Sequence, residues 1–302
     1  MAKNEFLPFG LNSDANVLNP TEWSSLNARS AGFTTGIAKS KEMNTALRQA
    51  SVISNAVAQF IADNSGKDVL DNGDLAALQN NLSAALLNKM PGRLLNVQTF
   101  TSSGTYIPTP GTKSVIVEVQ GAGGGGGGTP ATGPTSVSAS GAGGSGAYAM
   151  GHYINGYAGV AVTVGVGGAG GVAASSGSTG ENSSFGNLVI CPGGTGGGGL
   201  NAVVPPASRG GSQKTAPPRG GNIVSLSGSP GGGSFIHYVG SVYFGAAALG
   251  ASSRFGGGGA DDVAGSSGEI GAGGGGHVAA YNVPAISGGR GGDGIVIIWE
   301  YT

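Results

Sequence analysis

Charge is scarce in this chain. Its 302 residues include 14 Lys and Arg against 15 Asp and Glu, so charged side chains make up 10% where about a quarter is usual. The net charge of −1 and the lack of clustered cations argue against nucleic acid as a partner, because phosphate neutralisation needs grouped Lys and Arg. A single cysteine, Cys191, excludes a disulfide framework and any Cys-built zinc site. The histidines at 152, 237 and 277 stand far apart without metal-ligand spacing, so no metal or cofactor is expected. No apolar run approaches the ~18 residues of a membrane span. The opening MAKNEFLPFG has no basic segment followed by an apolar one, so no secretory signal is read there. These absences predict a soluble, unexported chain that does not insert into membranes.

Glycine is abundant and unevenly placed. Only six of the 64 glycines fall in residues 1–95, which hold sixteen of the charged residues. Two regions with different physics therefore meet near Gly92. Residues 1–38 scatter Phe6, Phe9, Leu11, Val17, Leu18 and Trp23 without any period, and read as an arm that orders against something else. Residues 39–92 read as helical. Ser40 is a candidate cap, Glu42 sits in the first turn and Gly66 follows the end. Met43, Ala46, Ala50, Ile53, Val57 and Phe60 are spaced 3, 4, 3, 4, 3, a heptad seam. Asp74 is placed to cap a second helix, where Leu75, Leu78, Leu82 and Ala85 continue the rhythm to Pro91-Gly92. A self-contained helical hairpin is one reading. Two Ala-rich helices bury little area at about 25 cal/mol per Å², which favours a coiled-coil-like region where several chains associate.

From residue 93 the expected domain is all-β and glycine-rich. Strand candidates are Ser114–Gln120, Ala147–Ile154, Val160–Val166, Ser183–Ile190 and Gly294–Tyr301, rich in Val, Ile and aromatics. Between them lie glycine runs at 123–128, 141–146, 165–171, 193–199, 231–233, 256–259, 271–276 and 288–294. Flexible linker is the bland reading, but these runs interleave with apolar strands that must be buried. Collagen is excluded because the glycines are consecutive, with no Gly-X-Y period. A packed array of polyglycine II helices, with three residues per turn and ~3.1 Å rise, is the third reading. Such helices have no internal hydrogen bonds, so each N–H and C=O must pair with a neighbouring helix. A Cβ on an enclosed face would hold the neighbours apart, which accounts for the composition.

Particular segments carry a family likeness. LPFGL (7–11), NVLNPTEWSSL (16–26), RSAG (29–32), residues 39–63 and DVLDNGDLAAL (68–78) resemble the N-terminal region of tail fibre proteins from tailed phages and prophages of enteric bacteria. FTSSGTYIPTPGTKSVIVEVQGAGGGGG (100–127), VTVGVGGAGG (162–171), SSFGNLVICPGG (183–194) and GGDGIVIIWEY (291–301) resemble the glycine-rich adhesin domain carried by such proteins. The resemblance implies a virion protein, made in the host cytoplasm and assembled as a homotrimer. Its N-terminal part, including Phe6, Leu7, Phe9 and Trp23, would join a baseplate or other tail protein. Its C-terminal part would bind an outer-membrane protein or lipopolysaccharide through loops on a polyglycine II core. The chain departs from long fibres in lacking a repeated shaft.

With a rigid core, function is expected in the connecting segments. Residues 200–230 carry Arg209, Lys214 and Arg219 beside paired prolines, and residues 234–255 carry Phe235, His237, Tyr238, Tyr243, Phe244, Arg254 and Phe255. Tyr, Phe and Arg anchor interfaces, although Phe235 and Phe244 also fit packing beneath a loop. His277 and Tyr281 are further candidates. Catalysis finds little support: Asp261, Asp262, Glu269 and Asp293 could supply the paired carboxylates of a surface-glycan depolymerase, but loop carboxylates mostly serve solubility. The G-x-G-x-x-G matches follow from composition and lack the helix and acidic partner of a dinucleotide site. The expected function is therefore receptor binding without catalysis. The alternatives are a purely structural tail or baseplate component and, behind it, a depolymerase; an ice-binding face would leave the helices unexplained.

Overall fold

The computed structural model describes residues 2–90, 92–240, 242–260 and 265–302. The chain mixes helices with antiparallel sheets and divides into two compact units, Met1–Pro91 and Gly92–Thr302.

The first unit contains α1 (Pro20–Ser25), α2 (Ala28–Ala31), α3 (Ser40–Ser65) and α4 (Leu75–Lys89). Asn19 and Glu22 form a reciprocal capping box on α1. Ser40 does not cap α3. It is the first helical residue, and its Oγ accepts from Asn16 Nδ2 at 3.0 Å. Gly66 ends α3 in the left-handed conformation at φ 69°, and Asp74 caps α4 by accepting from the Ala77 N–H at 2.9 Å. Ala58, Ile61, Ala62 and Val69 form a small core against Phe6, Phe60, Leu78 and Leu82.

The N-terminal arm is not a body apart from the helices. It runs along α3, held where Asn55 Nδ2 donates to the Phe6 carbonyl (2.7 Å), Phe9 N–H to Ser51 Oγ (2.9 Å) and Leu18 N–H to Thr45 Oγ1 (2.8 Å). Such side-chain-to-backbone ties have no sequence period, so the apolar pattern could not reveal them.

The second unit contains β1 (Leu94–Phe100), β2 (Gly104–Thr105), β3 (Ser114–Gln120), β4 (Ser138–Ala139), β5 (Tyr148–Tyr153), β6 (Ala161–Thr163), β7 (Ser183–Phe185) and β8 (Val189–Cys191). It continues through β9 (Ala207–Arg209), β10 (Arg219–Gly220), β11 (Val224–Leu226), β12 (Ser234–Val239), β13 (Val242–Ala246), β14 (Val278–Ala279) and β15 (Ile295–Tyr301). Two five-stranded sheets, β1-β15-β3-β5-β11 and β10-β8-β7-β6-β2, enclose one core of Val115, Val117, Val119, Phe185, Val296 and Ile298 with Tyr106. Residues 183–190 are not one strand, because Gly186 turns at φ 52° and splits them into β7 and part of β8.

Glycine segments run from this sandwich toward a second, smaller core. Their hydrogen bonds follow a three-residue rotation. From Gly121 to Thr129 every N–H donates to another segment at 2.8–3.3 Å: residues 121, 124 and 127 to the carbonyls of Ala147, Gly144 and Gly141; 122, 125 and 128 to Glu181, Ser178 and Ser175; 123, 126 and 129 to Gly292, Gly289 and Ile286. Three further segments donate back, Gly194 and Gly197 to the carbonyls of 122 and 125, Gly168 and Gly171 to 123 and 126, and Gly274 to 124. Residues 140–147 repeat the pattern with partners near 271–277, 192–198 and 229–232. Both segments are buried throughout. At each of Gly123 to Gly128 a Cβ would fall closer than 3.0 Å to backbone of a neighbouring segment. Backbone packs directly on backbone, and one chain supplies all of these partners.

Candidate functional site

The strand registers sort the connecting segments into two groups. At the end away from the sandwich, Thr132 N–H donates to the Val283 carbonyl at 2.9 Å, Val137 bridges Val203, and β4 pairs with β14. The three-stranded sheet β13-β12-β9 covers this end, over a core of Val137, Ala139, Ala207 and Ile236. At the sandwich end lie the first and last residues of the unit, where Gly92 N–H donates to the Thr302 carbonyl at 2.9 Å.

The far end gathers seven of the sequence-nominated residues, Phe235 among them. β12 and β13 form a hairpin in which His237 faces Phe244 and Tyr238 faces Tyr243 across the strands, while Arg209 on β9 pairs with Ser234. Tyr281 stacks on Tyr238 with centroids 4.0 Å apart at 15°, and Tyr243 leans on Tyr238 at 5.9 Å. Alternation along the strands gives the hairpin two faces. Ile236 and Tyr238 turn toward the small core. Phe235, His237, Val239, Val242, Phe244 and Ala246 turn outward, and all are exposed. Phe235 and Phe244 are thus not packed beneath a loop; 51% and 56% of their surface is accessible.

The other nominated residues lie elsewhere. Arg219 belongs to β10 and pairs with Ile190 in the sandwich. Arg254 lies 5.1 Å over the Tyr148 ring and 3.9 Å from Glu118, and Phe255 meets the same ring edge-on. Burial, and then the hydrogen bond to Glu118, push the Tyr148 hydroxyl up to about 12. Lys214 is exposed in the segment following β9. His277 is buried beside Ser140, whose Oγ accepts its N–H at 2.8 Å.

The nominated carboxylates do not converge among the described residues. Glu269 accepts from the Gly257 N–H at 2.8 Å and Asp293 from the Gly167 N–H at 2.7 Å, each tying down backbone. Asp261 and Asp262 lie outside the described residues. Burial pushes the Cys191 thiol up to about 12, and its Sγ donates to the Val119 carbonyl at 3.2 Å, the setting of an inert core residue. Among the described residues no group of three His, Cys, Asp or Glu could hold a metal, and no helix is long and apolar enough to cross a membrane.

In the first unit, Phe6 packs into the core, whereas Leu7 and Phe9 are exposed and Trp23 is half-buried. Along the seam Ala50, Ile53, Val57 and Leu75 are exposed and Met43 and Ala46 half-buried; Phe60, Leu78 and Leu82 rest against the core.

Val239 and Val242 are not among the candidates expected from the sequence, and Ser234–Val239 and Val242–Ala246, within the expected 234–255 connection, are strands. The signal was present: two apolar stretches, SFIHYV and VYFGA, separated by Gly240-Ser241, are the pattern of a tight hairpin. No protein-family model matches the chain, and no curated protein matches it.

Proposed function

We propose that this chain is a phage tail fibre protein that attaches the virion to a bacterial host by binding a cell-surface receptor, without catalysis. The observation that carries the reading is the grouping of Arg209, His237, Tyr238, Tyr243, Phe244 and Tyr281 at one end of the glycine segments, opposite the end where the chain enters and leaves the unit. Exposed aromatics on a fixed base lose little entropy on binding.

The base is read as a polyglycine II array. Rotation of hydrogen-bond partners every three residues supports this, since three residues make one turn of that helix. In this reading three copies associate through the coiled-coil-like seam of α3, which leaves Ile53 and Val57 exposed in one chain. The N-terminal unit then joins a baseplate or tail protein of the virion. The receptor is an outer-membrane protein or lipopolysaccharide of an enteric bacterium.

Adsorption of the purified full chain to a panel of enteric strains tests this, together with competition against phage. Wild-type protein should bind at least one strain, and Tyr243→Ala with Phe244→Ala should weaken binding about tenfold or more. Adsorption to no strain would overturn the reading, and equal adsorption by the double variant would remove the hairpin from it.

A further inference from the structure

Resting on that reading, we propose that the outer edge of β13 receives an extended polypeptide segment of the receptor as an added strand. In the order β13-β12-β9, β12 occupies one edge of β13, and among the described residues no strand pairs with the other. Natural sheets blunt such edges with Lys, Pro, bulges or covering loops, because a free ladder of N–H and C=O groups templates pairing. β13 has none of these devices. Its sequence VYFGA is uncharged and free of proline, its register with β12 is unbroken from Val242 to Ala246, and all five residues are exposed.

The register also tells which groups are free. Val239 pairs with Val242, with two residues between them in sequence, so that pair, His237–Phe244 and Phe235–Ala246 exchange the hydrogen bonds of the hairpin. The peptide groups of Tyr243 and Gly245 therefore point to the open edge, offering donors and acceptors at the spacing of a strand.

Two features select a polypeptide over a polysaccharide. Alternating N–H and C=O groups are matched by another main chain in extended form. The adjoining outward face consists of Phe235, His237, Val239, Val242, Phe244 and Ala246, with no carboxylate or carboxamide to hold sugar hydroxyls. An added strand continues that face, so its own residues there are apolar.

Hydrogen exchange of the full-length protein, free and bound to outer-membrane vesicles from an adsorbing strain, tests the inference. Binding should slow exchange at the Tyr243 and Gly245 amides at least tenfold. Proteinase-shaved vesicles should lose the effect and periodate-treated vesicles keep it. Phe244→Lys, which places a charge beside the edge, should weaken adsorption at least tenfold while exchange in 121–147 stays unchanged. Adsorption without slowing at Tyr243 and Gly245 would overturn the added strand and leave the receptor-binding reading intact. Adsorption that survives proteinase and is lost to periodate would do the same in favour of a glycan. Slowing already present in the free protein and rising with its concentration would assign the edge to a second copy. Adsorption to no strain would overturn the receptor-binding reading itself.

Discussion

Gly126 and Gly133 have the same side chain and opposite surroundings. A Cβ on Gly126 would run into backbone of the 271–276 segment at under 3.0 Å, whereas one on Gly133 would find only Ser136 Oγ at 3.6 Å, an ordinary contact. Gly126→Ala should therefore destabilise the second unit by about 1–3 kcal/mol or prevent its folding, the penalty of overpacking. Gly133→Ala should stay within about 0.5 kcal/mol. Denaturant midpoints of the two variants check this. The sequence indicated that glycine in runs is held by close packing, but the distinction between these two positions depends on which segment lies alongside. Glu300 was illegible for a similar reason. It is fully buried and accepts from Tyr106 Oη (2.6 Å), Thr109 N–H (3.1 Å), Thr109 Oγ1 (2.5 Å) and Gln98 Nε2 (3.0 Å), partners that the fold gathers around it. Burial alone would raise its pKa, but hydrogen bonds from Thr109, Tyr106 and Gln98 outweigh burial and hold the carboxyl below its ordinary 4.5. A depressed carboxyl contributes stability that is present above the ordinary value and lost as pH falls through the folded one. Unfolding measured from pH 7 downward should show this loss below about 4.5 in the wild type. Glu300→Gln should lack that part of the acid limb and be less stable at neutral pH by about 1–3 kcal/mol.

At the scale of elements, periodicity located what local sequence controls. α3 ends at Gly66 and α4 begins after Asp74, because a left-handed residue and a capping carboxylate are local devices. β3 and β15 coincide with apolar runs of alternating burial. The heptad spacing of α3 is only partly explained within one chain. Phe60 reaches the core, but Ile53 and Val57 remain 66% and 47% exposed, beside a groove lined by Phe6, Ile61, Leu78 and Leu82. A seam that continues past its own core is the pattern of association. If the chains associate through this seam as proposed, Ile53→Glu with Val57→Glu should leave only monomers by native mass measurement, with helical circular dichroism kept because both positions are exposed. An unchanged mass would place the subunit contacts elsewhere. The hairpin shows the opposite limit: residues 234–255 are expected as a connecting loop, and which face the hairpin shows to solvent is decided by Ile236 docking on Val137 and Ala207, residues distant in sequence.

For the whole molecule, the decisive pattern is non-local. Residues 121–129 take their partners from near 141, 175 and 286, and no short-range rule could pair those positions. The sequence therefore announced glycine segments without saying which loops share an end. The same pattern dictates how the second unit must fold. Ordering each residue's backbone costs roughly 1–2 kcal/mol, and glycine pays the most. A lone segment makes no hydrogen bonds of its own and cannot offset that cost. Only when its neighbours are in place does every N–H of 121–129 find a carbonyl. These segments should consequently form and dissolve together. Amides of 121–129 and 140–147 are expected to exchange with deuterium only by global unfolding of Gly92–Thr302, at one common free energy. Exposed backbone at Ala131, Pro134 and Thr135 lies in a connection beyond this lattice, and the amides of Ala131 and Thr135 should exchange orders of magnitude faster. Fast exchange within 121–129 while the β3–β15 pairing stays protected would show a loose tether strung between strands. The hairpin would then have no fixed base, and its aromatics would incur on binding the ordering cost that a rigid core removes in advance.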